Sequence, residues 1–139
     1  MHETRLADDA NNVGEIMIKP ENVQKLTEVF GSANQVTFGQ LVPPFLLICS
    51  VYPPVGAALV DTSQFMSKLL ERLQHKKQDA LVRVNLLKLL ASLYEAYPKQ
   101  RQMLATYNLQ AIVSQLTGER SVLIQELASK LLTSFKSAK

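Results

Sequence analysis

An all-α fold built from repeated pairs of helices is what this sequence predicts, and three observations carry the prediction. The first is residues 79–98, DALVRVNLLKLLASLYEAYP, where apolar residues recur at helical spacing. Val82, Leu86, Leu89, Leu90, Leu93 and Tyr97 fall on one arc, widened by Leu87 and Tyr94. Asn85, Lys88, Ser92 and Glu95 gather opposite, with Leu81 and Ala91 as apolar exceptions. Only a narrow strip is left for water, so this is a central helix covered on two sides. The second observation is that the same pattern returns elsewhere in the chain. The third is the absence of any stretch with strand periodicity.

Taken in order, residues 1–19 have no sustained period, and Asp8, Asp9, Asn11, Asn12 and Gly14 favour turns, so a flexible lead-in is expected. Pro20 suits a first helical position, and a short helix through Val23, Leu26 and Phe30 stops near Gly31. A longer helix follows from about Gln35 to Tyr52, with a kink expected at Pro43-Pro44. Pro53-Pro54 breaks the chain before a brief helical turn through Val55 to Val60. Asp61 with Gln64 reads as a capping box for a helix through Phe65, Met66, Leu69, Leu70 and Leu73. Beyond the central helix come a short helix with Met103 and Leu104, and an N-cap at Asn108 for Leu109, Ile112, Val113 and Leu116. Ser121 caps the last helix, whose stripe is Leu123, Ile124, Leu127, Ala128, Leu131, Leu132 and Phe135.

These helices repeat. Shifted by 45, residues 36–53 lie on residues 81–98 without a gap: Leu41 meets Leu86, Phe45 meets Leu90, Ile48 meets Leu93, and Tyr52-Pro53 meets Tyr97-Pro98. Shifted by 43, Val23, Leu26 and Phe30 meet Met66, Leu69 and Leu73, which in turn meet Leu109, Ile112 and Leu116. Shifted by 42, Leu81, Val82, Leu89 and Leu90 meet Leu123, Ile124, Leu131 and Leu132. The period lies in the armadillo and HEAT range. The predicted fold is therefore a short armadillo/HEAT-like helical repeat, an α-solenoid of about three units, over residues 20–60, 61–106 and 107–139. An irregular bundle with coincidental spacing is the alternative.

The 139 residues fit one domain, and 47% hydrophobic content suffices for a core without staples. Cys49 is the single cysteine, so no internal disulfide can form; its apolar neighbours suggest a buried thiol in a reducing, intracellular setting. The charged start, MHETRLADD, does not resemble a secretory signal. Residues 32–60 carry no charge and are long enough to span a bilayer, but the proline pairs argue for buried helices rather than a membrane span. Net charge is +3, unevenly spread: residues 1–31 hold three basic and six acidic groups, residues 68–101 eight basic and three acidic. The chain has an acidic end and a basic middle.

No sequence pattern points to catalysis. The five glycines do not form a phosphate loop, there is no GxSxG or HExxH, and His2 and His75 stand apart from any metal-ligand set. No cofactor is implied, and the expectation is a chain that is not an enzyme. Arg83 breaks the pattern, because it falls inside the apolar arc. A buried guanidinium needs a partner. It either pairs with Asp79 or an acidic group on a neighbouring helix, or anchors a partner's carboxylate or phosphate. Lys68, Arg72, Lys76 and Lys77 form a basic ridge or a solvated face, and Asn85 and Lys88 mark the polar strip of the central helix. Nucleic acid is disfavoured, since the aromatics belong to core stripes and net charge is small.

The most telling segments are LVRVNLLKLL at 81–90, YNLQAI at 107–112 and VLIQELASKLL at 122–132. Together with the rest of residues 65–132, the chain resembles the armadillo-like C-terminal region of fungal septation-initiation and mitotic-exit protein kinases and related plant MAP kinase kinase kinases. The resemblance implies a noncatalytic region used for docking, self-association or placement at spindle pole bodies and the division site. The kinase glycine loop, HRD and DFG motifs are absent. Protein–protein interaction and scaffolding is thus the expected function, with Arg83, Asn85, Lys88, Lys76, Lys77 and Arg72 as partner-binding residues. A basic module for RNA or DNA and a homodimerisation domain using residues 32–60 are the alternatives.

Overall fold

The computed structural model describes residues 16, 18–75 and 77–138. The lead-in predicted over residues 1–19 lies almost wholly outside them, as does Lys76. Among the described residues there are eight α-helices and no strand: α1 (Pro20–Ser32), α2 (Gln35–Val51), α3 (Pro53–Val60), α4 (Ser63–Gln74), α5 (Ala80–Ala96), α6 (Gln100–Tyr107), α7 (Leu109–Leu116) and α8 (Val122–Phe135).

Helix α5 is the centre. Its Leu86, Leu89, Leu90 and Leu93 are wholly buried, each contributing about 2 kcal/mol of apolar burial. It packs against α2, α3 and α4 before it in sequence, and α6 and α8 after it. The second helix of each predicted pair therefore neighbours its counterpart, α2 beside α5 and α5 beside α8. The first helices do the same, α1 beside α4 and α4 beside α7. Two glycines set how near the neighbours come. A Cβ on Gly39 of α2 would lie 3.2 Å from Val82 Cγ2, and one on Gly56 of α3 would lie 3.2 Å from Leu93 Cδ2.

The first third has an aromatic centre. Phe30 of α1 has its ring centroid 4.8 Å from Phe38, 5.1 Å from Phe45 and 4.4 Å from Phe65, joining α1, α2 and α4. Cys49 is buried as expected, and burial pushes its thiol pKa up to about 12.

Helix α2 holds Pro43 and Pro44 within it. Both prolines are exposed, so water can reach the carbonyls left without donors one turn back. Two local expectations are corrected. Helix α4 starts at Ser63 with Thr62 as N-cap and no side-chain cap bond. The capping box fails because Asp61 ends α3 and accepts a hydrogen bond from the Tyr97 hydroxyl, while the Thr62 hydroxyl donates back to the Ala58 carbonyl at 3.1 Å. Asn108 stands at the α6–α7 junction in the left-handed conformation, φ 52°, which asparagine tolerates, and its side chain caps nothing. Ser121 does cap α8, accepting from the Ile124 N–H at 3.4 Å, and Asp79 caps α5, accepting from the Leu81 N–H at 2.8 Å.

No single helix among the described residues is long and apolar enough to cross a membrane. Helices α2 and α3 together would be, but they are bent by 115° at Tyr52.

Candidate functional site

Arg83 is 4% exposed, on the inner side of α5. Its Nε donates to the Leu73 carbonyl at 2.9 Å, and its Nη2 pairs with Glu119 Oε1 at 2.9 Å. Leu73 lies in the last turn of α4, where carbonyls lack intrahelical donors and a cation is favoured. Glu119 belongs to the connection between α7 and α8, whose carbonyl also accepts from Gln125 Nε2. One guanidinium thus ties α4 and α5 to the turn between α7 and α8. The partner is Glu119 and not Asp79, whose carboxylate caps its own helix.

Beside this pair opens a cleft of about 760 Å³, lined by Gln74, Gln78, Arg83, Gln115, Glu119 and Arg120 among others. Gln78 is 5% exposed, and its Oε1 has no hydrogen-bond partner among the described residues. Arg83 reaches the wall of this cleft with two of its nitrogens already engaged by the protein itself.

The remaining predicted residues separate into two groups. Arg72 does not stand on a free basic ridge: it is half-buried with its guanidinium carbon 5.5 Å from the Phe38 ring centroid, and its buried Nε has no hydrogen-bond partner among the described residues. Lys68 is half-buried and Lys77 exposed. Asn85 and Lys88 lie on a different surface, the open face of α2, α5 and α8. Lys88 is exposed there and Asn85 half-buried.

The repeat register makes that open face legible. Val36, Leu81 and Leu123 are equivalent under the shifts of 45 and 42, and all three are exposed, by 74%, 66% and 58%. One row further along the helices, Pro43, Lys88 and Lys130 are equivalent and exposed. Beside them Ser50, Leu87, Ala91, Ser92, Glu95, Leu127 and Leu131 help line a groove of about 430 Å³ between these helices. The face therefore carries an apolar row and a basic row across adjacent helices. Leu123 was read from the sequence as part of the apolar stripe of the last helix, and Lys130 was not singled out, although the register that aligns them with Leu81 and Lys88 was visible there.

Three tyrosines join parts of the chain distant in sequence. Tyr94 donates to the Ser134 carbonyl at 3.0 Å, Tyr97 to Asp61, and Tyr107 to the Val60 carbonyl. The bond to Asp61, then burial, raise the Tyr97 pKa to about 12; burial raises those of Tyr94 and Tyr107. Among the described residues no group of three or more His, Cys, Asp or Glu could hold a metal ion.

The chain is similar to MAP3K epsilon protein kinase 1 of Arabidopsis thaliana, with 31% identity over 137 residues, covering 91% of this chain and 10% of that protein. It is 30% identical over 97 residues to cytokinesis protein sepH of Emericella nidulans, covering 70% of this chain and 7% of that protein. Against cell division control protein 7 of Schizosaccharomyces pombe it is 26% identical over 129 residues, 92% of this chain and 12% of that protein. The chain spans about a tenth of the length of these curated relatives. No family model matches the chain. No solved structure matches it either.

Proposed function

We propose that this chain is a noncatalytic protein-docking module of a cell-division kinase pathway, a short stack of armadillo/HEAT-like units acting at the division site. The neighbour relations α1–α4–α7 and α2–α5–α8 support the stacked-repeat reading, because each helix meets its own counterpart one period away. Relatives named as protein kinase, cytokinesis protein and cell division control protein support the pathway. Catalysis is left to other parts of a kinase, and this stretch holds its partners.

The carrying observation is the open face of α2, α5 and α8, where Val36, Leu81 and Leu123 form one exposed apolar row and Lys88 and Lys130 a neighbouring basic one. Equivalent positions in stacked repeats normally reach water as polar residues. Three large apolar side chains kept in the same register suit a partner that crosses the helices, with acidic groups toward the lysines. Arg83 acts here as the internal tie that holds the layers, not as a contact.

The test is proximity labelling in dividing cells, wild type beside Leu81→Glu and Lys88→Glu, each shown folded by its melting transition. Division-site and kinase-pathway proteins enriched by the wild type and lost in both variants are the expected result. Labelling that is indifferent to both substitutions, or association with nucleic acid alone, would sink the docking assignment.

A further inference from the structure

The cleft beside Arg83 lies where two connections come together, the one that follows α4 and the one that follows α7. Arg83 and Glu119 are spent on each other and fix its wall. That leaves Arg120, exposed and with no ion-pair partner among the described residues, as the one net charge of its lining. Gln74, Gln78 and Gln115 bring three side-chain amides to the same cleft, and the buried Leu116 and Ile124 add apolar surface. A volume of about 760 Å³ falls within the range of ligand sites.

Gln78 is out of keeping with its place. It is buried, yet its Oε1 has no hydrogen-bond partner among the described residues, whereas buried amide oxygens nearly always have one. An acceptor without a donor stands at the edge of a cleft with room for one.

We propose that this cleft takes an extended segment of a protein partner, met edge-on by the Gln78 carboxamide, with an acidic side chain of the segment beside Arg120. The Gln78 oxygen is shut off from solvent in the free chain, so binding turns the carboxamide outward. Chemistry selects the occupant. An extended residue turns its N–H and C=O to the same edge, so a carboxamide can exchange two hydrogen bonds with it, as one strand residue does with another. A helix has already used those groups internally. A second copy of this chain offers eight helices and no strand among its described residues. A nucleotide finds no aromatic side chain to stack on among the described residues that line the cleft. Phosphate would meet the Glu119 carboxylate and leave the Gln78 oxygen without a donor.

Proton–nitrogen correlation spectra of the chain, titrated into the millimolar range, test this with three probes. They are acetyl-valyl-aspartyl-valine amide, whose β-branched residues favour an extended chain, its lysyl analogue, and inorganic phosphate. The aspartyl peptide should shift the side-chain NH2 signals of Gln78 and Gln115 to saturation and bind more tightly than the lysyl peptide. The backbone amides of Lys88 and Lys130, on the open face, should stay where they are. Gln78→Leu, shown folded by its melting transition, should weaken the aspartyl peptide about tenfold, two hydrogen bonds being lost. Arg120→Glu, at an exposed site, should reverse the preference between the two peptides. Phosphate that shifts the same signals as far as the peptide, a Gln78 signal that no peptide moves, or a preference unchanged in Arg120→Glu would each overturn the assignment. None of these outcomes bears on docking at the open face, which the labelling experiment reads separately.

Discussion

The region around α1 and α2 and the region around α5 to α8 hold their helices together by different means. In the first, four phenylalanines from α1, α2 and α4 meet ring to ring; among the described residues of α1 and α2, side-chain hydrogen bonds stay within seven residues in sequence. In the second, Arg83–Glu119, Tyr94–Ser134, Tyr97–Asp61 and Tyr107–Val60 each join residues 36 to 47 positions apart through a directed polar contact. Apolar packing is non-directional and tolerates another layer at its edge. Directed bonds fix the spacing of layers already present.

The sharpest way to break the first region is Phe30→Ala. That ring touches three others and is wholly buried, so its loss should cost about 3–5 kcal/mol, measured by denaturant unfolding. Breaking the second region at its strongest tie should cost less. Arg83→Ala removes the donors to Leu73 and Glu119, and about 3 kcal/mol is expected because the arginine is buried while Glu119 keeps partial access to water. Glu119→Gln keeps a hydrogen-bonding oxygen and should cost about 1 kcal/mol. If Arg83→Ala proved harmless while Phe30→Ala unfolded the chain, packing alone would be holding both regions.

Much of this was legible in the sequence because helices announce themselves by period. The apolar arc of α5, the Ser121 cap and the correspondence of residues 36–53 with 81–98 all follow from spacing within or between short segments. The misreadings share a cause. Asp61 looks like a cap when only Gln64 is considered, and its true partner is Tyr97, 36 residues away. Glu119 is likewise 36 residues from Arg83, and Tyr94 and Tyr107 reach across 40 and 47. Partners 36 to 47 residues apart are beyond the reach of local signatures.

The smallest predicted effect isolates one of those long-range ties. Tyr97→Phe deletes the hydroxyl bond to Asp61, partly open to solvent, and should cost about 1 kcal/mol at neutral pH. Its signature is in the pH dependence. The folded-state pKa of Tyr97 is raised from 10.0 to about 12, first by the bond to Asp61 and then by burial, so the folded chain holds this proton more tightly than the unfolded chain. The stabilisation is complete below pH 10, where the phenol is protonated in both states. It declines as pH rises from 10 toward 12, because the unfolded state ionises first, and is gone above that range. Cys49, Tyr94 and Tyr107 also have raised pKa values and contribute alkaline loss of their own. Wild type and Tyr97→Phe must therefore be compared as a difference. That difference should be constant through neutrality and shrink to nothing across the alkaline window, followed by urea unfolding at each pH. A gap that stayed constant up to pH 12 would mean that the proton shared with Asp61 is not the source of the difference.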